Sequence, residues 1–214
     1  MTSTVGILAY GSLIGDPGAE IEPVVLWRID CRTPFKVEFA RASENRKGGP
    51  TLVPYDNGTE VAAQILVVDL PLSEATDRLY RRERHKVGEG VVYDASRKAT
   101  PNRVIIKTLP DFEGVNKVLY TSIGANIGEL TATKLAELAI ASARALNNGN
   151  DGISYLIYAK KVGTRTPLSD EYEAEIKRLT GTASLKEALA ELRANTQTNT
   201  DLLPLHHVHA VCRR

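Results

Sequence analysis

The feature that most constrains the fold of this chain is an apolar run near its N-terminus that stops at a Gly-Ser turn. The run Val5–Ala9 contains no polar side chain and leads directly into Tyr10-Gly11-Ser12-Leu13. A short apolar run bounded by turn residues predicts a buried strand, here over Thr4–Tyr10. The N–H groups of such a turn can converge on one point and form a nest for a carboxylate or an oxyanion. Since Gly and Ser are ordinary turn residues, the tetrapeptide alone is equally consistent with a plain strand-to-loop turn.

Further strand signals fill the first half of the chain. Short segments that are mostly rich in Val, Ile and Leu are separated by Gly, Pro, Asn or Asp, and they predict strands over Val24–Ile29, Phe35–Ala40, Val61–Leu70, Arg103–Thr108 and Lys117–Thr121. The strict alternation of Phe35–Phe39 is typical of a half-buried antiparallel strand. Asn57-Gly58 predicts a hairpin turn with positive φ at both residues. Gln64 interrupts an apolar run, which indicates either a side chain that faces a cavity or a hydrogen-bonded core glutamine.

Helix signals dominate the second half. They predict a helix that follows Ser73, a helix within Leu130–Leu146, one over Ile153–Val162, one that Ser169 opens and Gly181 ends, and one over Ala188–Ala194 behind the capping box at Ser184. The polar segment Asn195–Thr200 is interpreted as a loop. The order of these elements, with the strands and one helix first and the other helices afterwards, predicts an α+β fold. A length of 214 residues is compatible with one domain over 1–214.

Charge and composition exclude several classes of function. A formal net charge of +1 argues against nucleic acid or an anionic membrane as the main partner. No segment is long and apolar enough to span a bilayer, and the first ten residues lack the basic and apolar regions of a secretory signal. Cys31 and Cys212 have no metal-type spacing, so we expect free thiols. A cytoplasmic protein is the prediction.

Candidate chemistry rests on few residues, because no phosphate-binding glycine loop is present. Ser12 as a covalent nucleophile would need a base such as His85. His207 and His209, next to His206, would share one face of a strand, a spacing that metal sites use. No pattern supplies the remaining ligands, so exposed imidazoles on a terminal strand are the alternative.

Two motifs together carry a family resemblance. Tyr10-Gly11-Ser12-Leu13 followed by Leu79-x-x-Arg82-Glu83 resembles the γ-glutamylcyclotransferase superfamily, especially its ChaC-type branch, with its YGS(N/L) loop and L-x-x-R-E helix. Three further segments are similar to parts of that family: Pro50–Pro54, Val118–Thr121 with Ala125-Asn126, and Asn150–Leu156 with its G-x-x-Y-L pattern. The resemblance covers about residues 4–163, and 164–214 is predicted to be a helical C-terminal extension.

The resemblance implies a fold, a reaction and a site. The fold is a small mixed β-barrel with helices packed outside. The reaction releases 5-oxoproline from a small-molecule γ-glutamyl amide, peptide or amine, with glutathione as one candidate, and needs neither metal nor organic cofactor. On that mapping Glu83 is the proton shuttle, Gly11, Ser12 and Leu13 supply backbone N–H groups, and Tyr10 positions the substrate. The oligomeric state is not predicted.

One departure from the family leaves alternatives open. In the ChaC branch the catalytic glutamate is followed closely by Gly-Gly-Tyr, and here it is Glu89 that precedes Gly90 and Tyr93 at such a spacing. Glu89 is therefore the alternative proton shuttle, although the longer L-x-x-R-E match favours Glu83. Three other hypotheses stay open. Glu83 can belong to a solvated Arg/Glu surface of the helix. The protein can be a binding protein on the same fold without turnover, or a serine hydrolase that uses Ser12.

Overall fold

The computed structural model describes residues 4–98 and 100–201, with the side chains up to residue 194. Within these residues the elements are β1 (Val5–Tyr10), β2 (Val25–Arg32), β3 (Val37–Ser43), β4 (Gly49–Pro54), β5 (Ala62–Val68), α1 (Leu72–Glu83), β6 (Ile105–Phe112), β7 (Val115–Ser122), α2 (Ala132–Ala145), α3 (Gly152–Lys161), α4 (Ser169–Thr180) and α5 (Leu185–Asp201). This order confirms the predicted α+β class.

The larger sheet has five strands in the order β2-β5-β1-β7-β6. The middle strand, β1, is antiparallel to β5 and parallel to β7. Both of its faces are covered: Ile7 packs in a cluster with Leu79 of α1, and Leu8 packs on the opposite side with Ile65 and Val118. A strand that is buried on both faces needs apolar residues at every position, which is why Val5–Ala9 is continuous rather than alternating.

The second sheet consists of β3 and β4 alone. An isolated antiparallel bridge between Val37 and Thr59 joins β3 to the segment that leads into β5. Hydrogen bonding within the described residues thus produces two sheets and no closed ring of strands. The barrel that the resemblance implies stays a prediction.

Two local predictions about this region are corrected by the structure. The predicted strands do not include Gly49–Pro54, which contains Pro50 and Pro54, and proline lacks the N–H group of a regular strand. The segment forms β4 nevertheless, since it pairs with only one neighbour, β3, and prolines are tolerated on an edge strand.

The hairpin expected at Asn57-Gly58 is also corrected. The turn exists, with Gly58 N donating to Tyr55 O at 3.0 Å, but neither central residue has positive φ. The strands on either side pair with other strands, and Gly58 is needed because a Cβ there would overlap the carbonyl oxygen of Val37. Positive φ at two consecutive residues occurs instead at Glu113 and Gly114, which join β6 to β7.

Two polar residues lie in surroundings that the pattern alone did not predict. Glu38 is only 1% exposed, because the connection between α3 and α4 covers the face that the alternation assigns to solvent. Its carboxylate accepts hydrogen bonds from Phe39 N at 2.8 Å and Leu168 N at 3.2 Å. Gln64 faces neither a cavity nor the core, since it bonds to Asp30 on the neighbouring strand at 2.9 Å.

The C-terminal helices are part of the core that β3 contributes to. The side chains of α4 and α5 in that cluster are Tyr172, Ile176, Leu185, Ala188 and Leu192. Gly181 ends α4 with a φ of 70°, as predicted, and Ser184 accepts a hydrogen bond from Glu187 N in the predicted cap. The loop expected over Asn195–Thr200 is wrong, because α5 continues through it. Every helix in the described part of the chain is too short or too polar to cross a membrane.

A buried ion pair attaches α5 to α3 and gives a test of this arrangement. Asp151 is fully buried, caps α3 through Ser154 N at 2.8 Å and pairs with Arg193 of α5 at 3.1 Å. We expect Asp151→Ala to lower the free energy of unfolding in urea by about 3 kcal/mol, because the change removes both a cap and the partner of a partly buried cation. In the control Asp170→Ala, which breaks an exposed pair with Lys160, the loss should be much smaller. Equal losses would contradict a docked α5.

Candidate functional site

A pocket of about 650 Å³ opens where β1, α1, α3 and the β3–β4 connection meet. Its lining combines phenols, carboxylates and guanidinium groups, and among its walls are Tyr10, Ser12, Arg46, Glu83, His85 and Tyr155. The volume is within the range of small-molecule pockets in proteins, and the lining supplies groups that can bind charge.

The residues predicted from the two sequence motifs meet at this pocket. Tyr10, Ser12, Leu13 and Glu83 all line it, although about seventy residues separate the two motifs. Gly11 is buried in the wall between them, with a φ of 57° that favours glycine.

Gly11 is also required by the close approach of another element. A Cβ at Gly11 would lie 2.5 Å from the hydroxyl oxygen of Tyr155 in α3. Gly11 to Leu13 form one 3₁₀ turn, and the N–H groups at the start of such a turn have no acceptor within it. The turn thus has N–H groups without a partner inside it, and Ser12 and Leu13 of the turn line the pocket together with Tyr155 of α3.

Glu83 is the last residue of α1 and is held by its neighbour. Arg82 donates to Glu83 Oε1 at 2.7 Å. The same guanidinium donates to the carbonyl oxygen of Asp16 at 2.7 Å, and Asp16 N donates to Ser12 O at 3.1 Å. Arg82 therefore connects the turn after β1 to the candidate carboxylate. Oε2 of Glu83 has no hydrogen bond to any residue in the described ranges, so it is available to a ligand.

Glu89, the alternative shuttle, lies outside this pocket. Its side chain is 51% exposed and pairs with Lys86 at 2.7 Å. Glu20 fixes the connection near Gly88, because it pairs with Arg81 at 2.7 Å and accepts from Gly88 N at 2.6 Å. Desolvation opposes ionisation of Glu20, but these two bonds hold its pKa below the ordinary value.

Two phenols face Glu83 and keep their protons. Burial, followed by the negative charge of Glu83, raises the pKa of Tyr10 far above its usual range. Burial also raises the pKa of Tyr155. Tyr10 donates to Thr121 O at 3.2 Å, whereas Tyr155 accepts from Leu52 N at 3.4 Å and has its own proton left to donate. Both are donors rather than bases at neutral pH.

Ser12 and His85 line the same pocket without forming a dyad. No hydrogen bond joins their side chains within the part of the chain that the structure describes. Burial, and then the charge of Arg82, lower the pKa of His85, so its imidazole is neutral at pH 7. This arrangement offers little support for a serine nucleophile.

Sequence reasoning missed part of the wall. Tyr155 is only one letter of the G-x-x-Y-L pattern, and no motif in the sequence includes Arg46. Contacts between distant segments make them pocket residues, and the sequence carried no stronger signal for either. The histidines 206, 207 and 209 lie outside the described residues. Within 4–98 and 100–201 no group of three or more His, Cys, Asp or Glu is placed to hold a metal ion.

Comparison with known proteins adds no relative. No family model, no curated protein and no solved structure matches this chain. The chemistry of the site therefore has to be argued from its own residues.

The contact between Gly11 and Tyr155 gives a test that does not depend on any activity. We expect Gly11→Ala to lower the free energy of unfolding by more than Gly90→Ala, because Gly90 also has positive φ but has nothing within 4 Å of its Cβ position. The backbone penalty common to both is about 1 kcal/mol, and the clash adds roughly 1–3 kcal/mol at Gly11.

The same substitution in the variant Tyr155→Phe isolates the clash between the new Cβ at position 11 and the Tyr155 hydroxyl. In Tyr155→Phe the hydroxyl is gone and the next ring atom lies 3.5 Å from the Cβ position. Gly11→Ala should then cost no more than Gly90→Ala when both are measured by urea unfolding. An undiminished cost in that background would show that α3 does not press on the turn.

Proposed function

We propose that this chain is a γ-glutamylcyclotransferase-like enzyme, which releases 5-oxoproline from a γ-glutamyl amide, peptide or amine. The observation that carries the proposal is that Glu83 and the turn after β1 border one pocket. These are the two motifs on which the family resemblance rests. The reaction needs a carboxylate for proton transfer and N–H donors for the oxyanion, and both residue types line this pocket.

The reaction follows from the arrangement of these groups. Glu83 first takes a proton from the α-ammonium of the substrate, and the free amine attacks its own γ-carbonyl carbon, which forms the ring bond and places negative charge on the carbonyl oxygen. N–H groups of Gly11 and Ser12 stabilise this oxyanion. As the bond to the leaving nitrogen breaks, Glu83 gives the proton to that nitrogen. Glu83 then carries the second proton from the ring nitrogen to the released amine, so the products are the neutral lactam and an ammonium ion, and Glu83 is again ionised.

Enclosure of the substrate supplies much of the rate. Ring closure is intramolecular, so an enzyme that holds the glutamyl chain folded removes most of the entropic barrier. Tyr10 lies beside the turn and opposite Glu83, where a protonated phenol can hold the substrate in that folded form. Arg82 keeps the carboxylate in place through its bonds to both segments.

We infer on the same resemblance that the two sheets are the strands of the family's small barrel. Two contacts support the inference. The Val37–Thr59 bridge links β3 to the segment between β4 and β5, and the hydrogen bond from Thr33 N to Val61 O, at 3.0 Å, links that segment to the connection between β2 and β3.

Replacement of the carboxylate is the direct test. Glu83→Gln keeps the size of the side chain but cannot accept the ammonium proton, so we expect kcat for 5-oxoproline release to fall about 10²–10⁴-fold. Glu89→Gln is the matched control, since it removes an exposed carboxylate outside the pocket, and its kcat should stay near that of the parent. Activity should be measured on a panel of γ-glutamyl compounds. A dead Glu89→Gln beside an active Glu83→Gln would transfer the role to Glu89.

The role of Ser12 separates cyclisation from hydrolysis. If Ser12 contributes its backbone N–H, Ser12→Ala keeps that donor, and kcat/KM should fall less than about tenfold. A serine nucleophile would instead lose all turnover in a variant that still unfolds in urea like the parent, and the parent would be labelled at Ser12 by a fluorophosphonate probe. Either result would move the chain to the hydrolase class.

A further inference from the structure

The outer edge of β2 carries exposed apolar side chains. Within the described residues β2 pairs with β5 on one side, and no strand pairs with its other side. Leu26 and Trp27 lie on this strand with 56% and 50% of their surfaces exposed, and Trp27 is the only tryptophan of the chain. A sheet edge with free backbone groups is a template for pairing with another strand, and apolar side chains strengthen such pairing.

The other edge of this sheet is protected against such pairing. It is formed by β6, which contains Lys107 and Pro110, and lysine and proline are residues with which proteins block a free edge. β2 contains neither of them. Its one irregularity is a register shift between Val25 and Trp27, so the strand from Trp27 to Arg32 follows β5 without interruption. This part of the edge is open to a second strand.

The hydrogen bonds to β5 determine which backbone groups of β2 point outward. Thr33, directly after β2, donates through its N–H to Val61 O at 3.0 Å. Bonded and non-bonded pairs alternate along antiparallel strands, so every second residue before Thr33 also bonds to β5. The residues between them, which include Arg28 and Asp30, direct their N–H and C=O groups away from β5. A partner strand can therefore bond to the backbone of these residues.

The charged side chains of β2 are arranged so that a second copy fits in one register. Arg28 and Asp30 lie on one face, where Gln64 of β5 donates to Asp30 at 2.9 Å and accepts from Arg28 at 3.4 Å. Antiparallel pairing about a two-fold axis at Ile29 places Arg28 of each copy opposite Asp30 of the other. Both residues of such a pair have outward backbone groups, so each pair also exchanges two hydrogen bonds.

Other registers are disfavoured by charge or by backbone geometry. A shift of two residues in either direction would set Arg28 against Arg28 or Asp30 against Asp30, and like charges directly opposite each other are destabilising. A shift of one residue would set outward backbone groups against inward ones. Asp30 has no cationic partner within the described residues, whereas Arg28 pairs with Glu22 at 2.7 Å. Arg28 of the second copy would give Asp30 a partner that is already fixed in place.

The same register also brings apolar side chains together on the other face of the strand. It places Trp27 of one copy opposite Cys31 of the other, and Ile29 opposite its own equivalent. Ile29 and Cys31 already pack against the apolar cluster that includes Ile65 and Val67. The second copy would thus extend a buried apolar face and cover Trp27, which is half exposed in the single chain.

We propose that β2 is a homodimer interface, in which two copies pair antiparallel about a two-fold axis at Ile29 and join their sheets, with five strands from each copy, into one continuous sheet. A closed two-fold contact of this kind uses the same surface on both copies and leaves neither β2 edge free. The proposal does not depend on the proposed function, because no residue of β2 lines the pocket.

Sedimentation velocity and tryptophan fluorescence measure this association independently. The parent chain should sediment with the mass of two chains in the micromolar range and dissociate on dilution. Over the same range the emission of Trp27 should move to shorter wavelength as the dimer forms, because the indole leaves water. Since the chain has no other tryptophan, this signal reports on β2 alone.

Two charge variants test the register. Asp30→Arg sets guanidinium groups opposite one another, and Arg28→Asp does the same with carboxylates, so each variant alone should dimerise at least about a hundredfold more weakly than the parent. An equimolar mixture of the two variants should form a heterodimer with a Kd close to that of the parent, because every opposite pair then carries unlike charges. Formation of the heterodimer also shows that both variants are folded.

Lys107→Asp is the matched control for these variants. It reverses an exposed charge on β6, at the other edge of the sheet, and its dimer Kd should stay within about threefold of the parent. An equal weakening in Lys107→Asp would mean that net charge, rather than the opposite pairs on β2, controls the association.

Three further results would overturn the proposal. A parent chain that stays monomeric in the micromolar range excludes the dimer. The emission of a buried indole in that monomer would mean that another part of the same chain covers β2, and the emission of an exposed indole would mean that the edge takes no second copy. A dimer that survives both charge variants uses another surface. Variants that are each weakened but do not associate on mixing exclude the register.

Discussion

Burial of β1 on both faces is the constraint on which the site depends. Because α1 covers one side and a second apolar cluster the other, the strand is packed between two layers. A shift in register would bring a larger side chain to the place of Gly6, where a Cβ would lie only 2.5 Å from Ile65 Cγ2. The register with β5, in which Tyr10 lies opposite Ala63, sets the place where the strand stops. The turn at Gly11 begins at that place. The same helix that covers β1 ends at Glu83, so one packing interface brings the two candidate reacting groups together.

Around this frame the pocket is built from segments that hold one another by directed contacts. Arg82 joins the turn to the end of α1, and the hydroxyl of Tyr155 reaches the wall formed by Gly11 and Leu52. Arg46 then rests on the ring of Tyr155. The proposed proton transfer is assigned to Glu83, whose carboxylate is held by Arg82.

Local sequence patterns predicted helices and strands correctly where apolar residues were buried and polar residues capped helices or ended them. The central strand, the segments of β2 and β5, and the helices α2 to α4 follow from apolar runs, caps and the glycine at 181. Prediction failed where a tertiary neighbour changed the meaning of a residue. Glu38 is buried by a connection more than a hundred residues away, and β4 forms around two prolines because only one of its edges is paired. The polar residues 195–200 continue a helix whose earlier turns are anchored by Leu192 and Arg193.

For the candidate site, the sequence by itself determined the residue types and the order of the motifs: a strand that ends in Tyr10-Gly11-Ser12-Leu13 and a helix that ends in Arg82-Glu83. It left Glu83 and Glu89 as rivals, because spacing along a chain does not say which carboxylate faces inward. Only the tertiary structure placed Glu83 in the pocket and Glu89 on the surface, where Glu89 pairs with Lys86. It alone placed Arg46 on Tyr155, since a contact between residues so far apart in the chain exists only after the sheets and helices have packed.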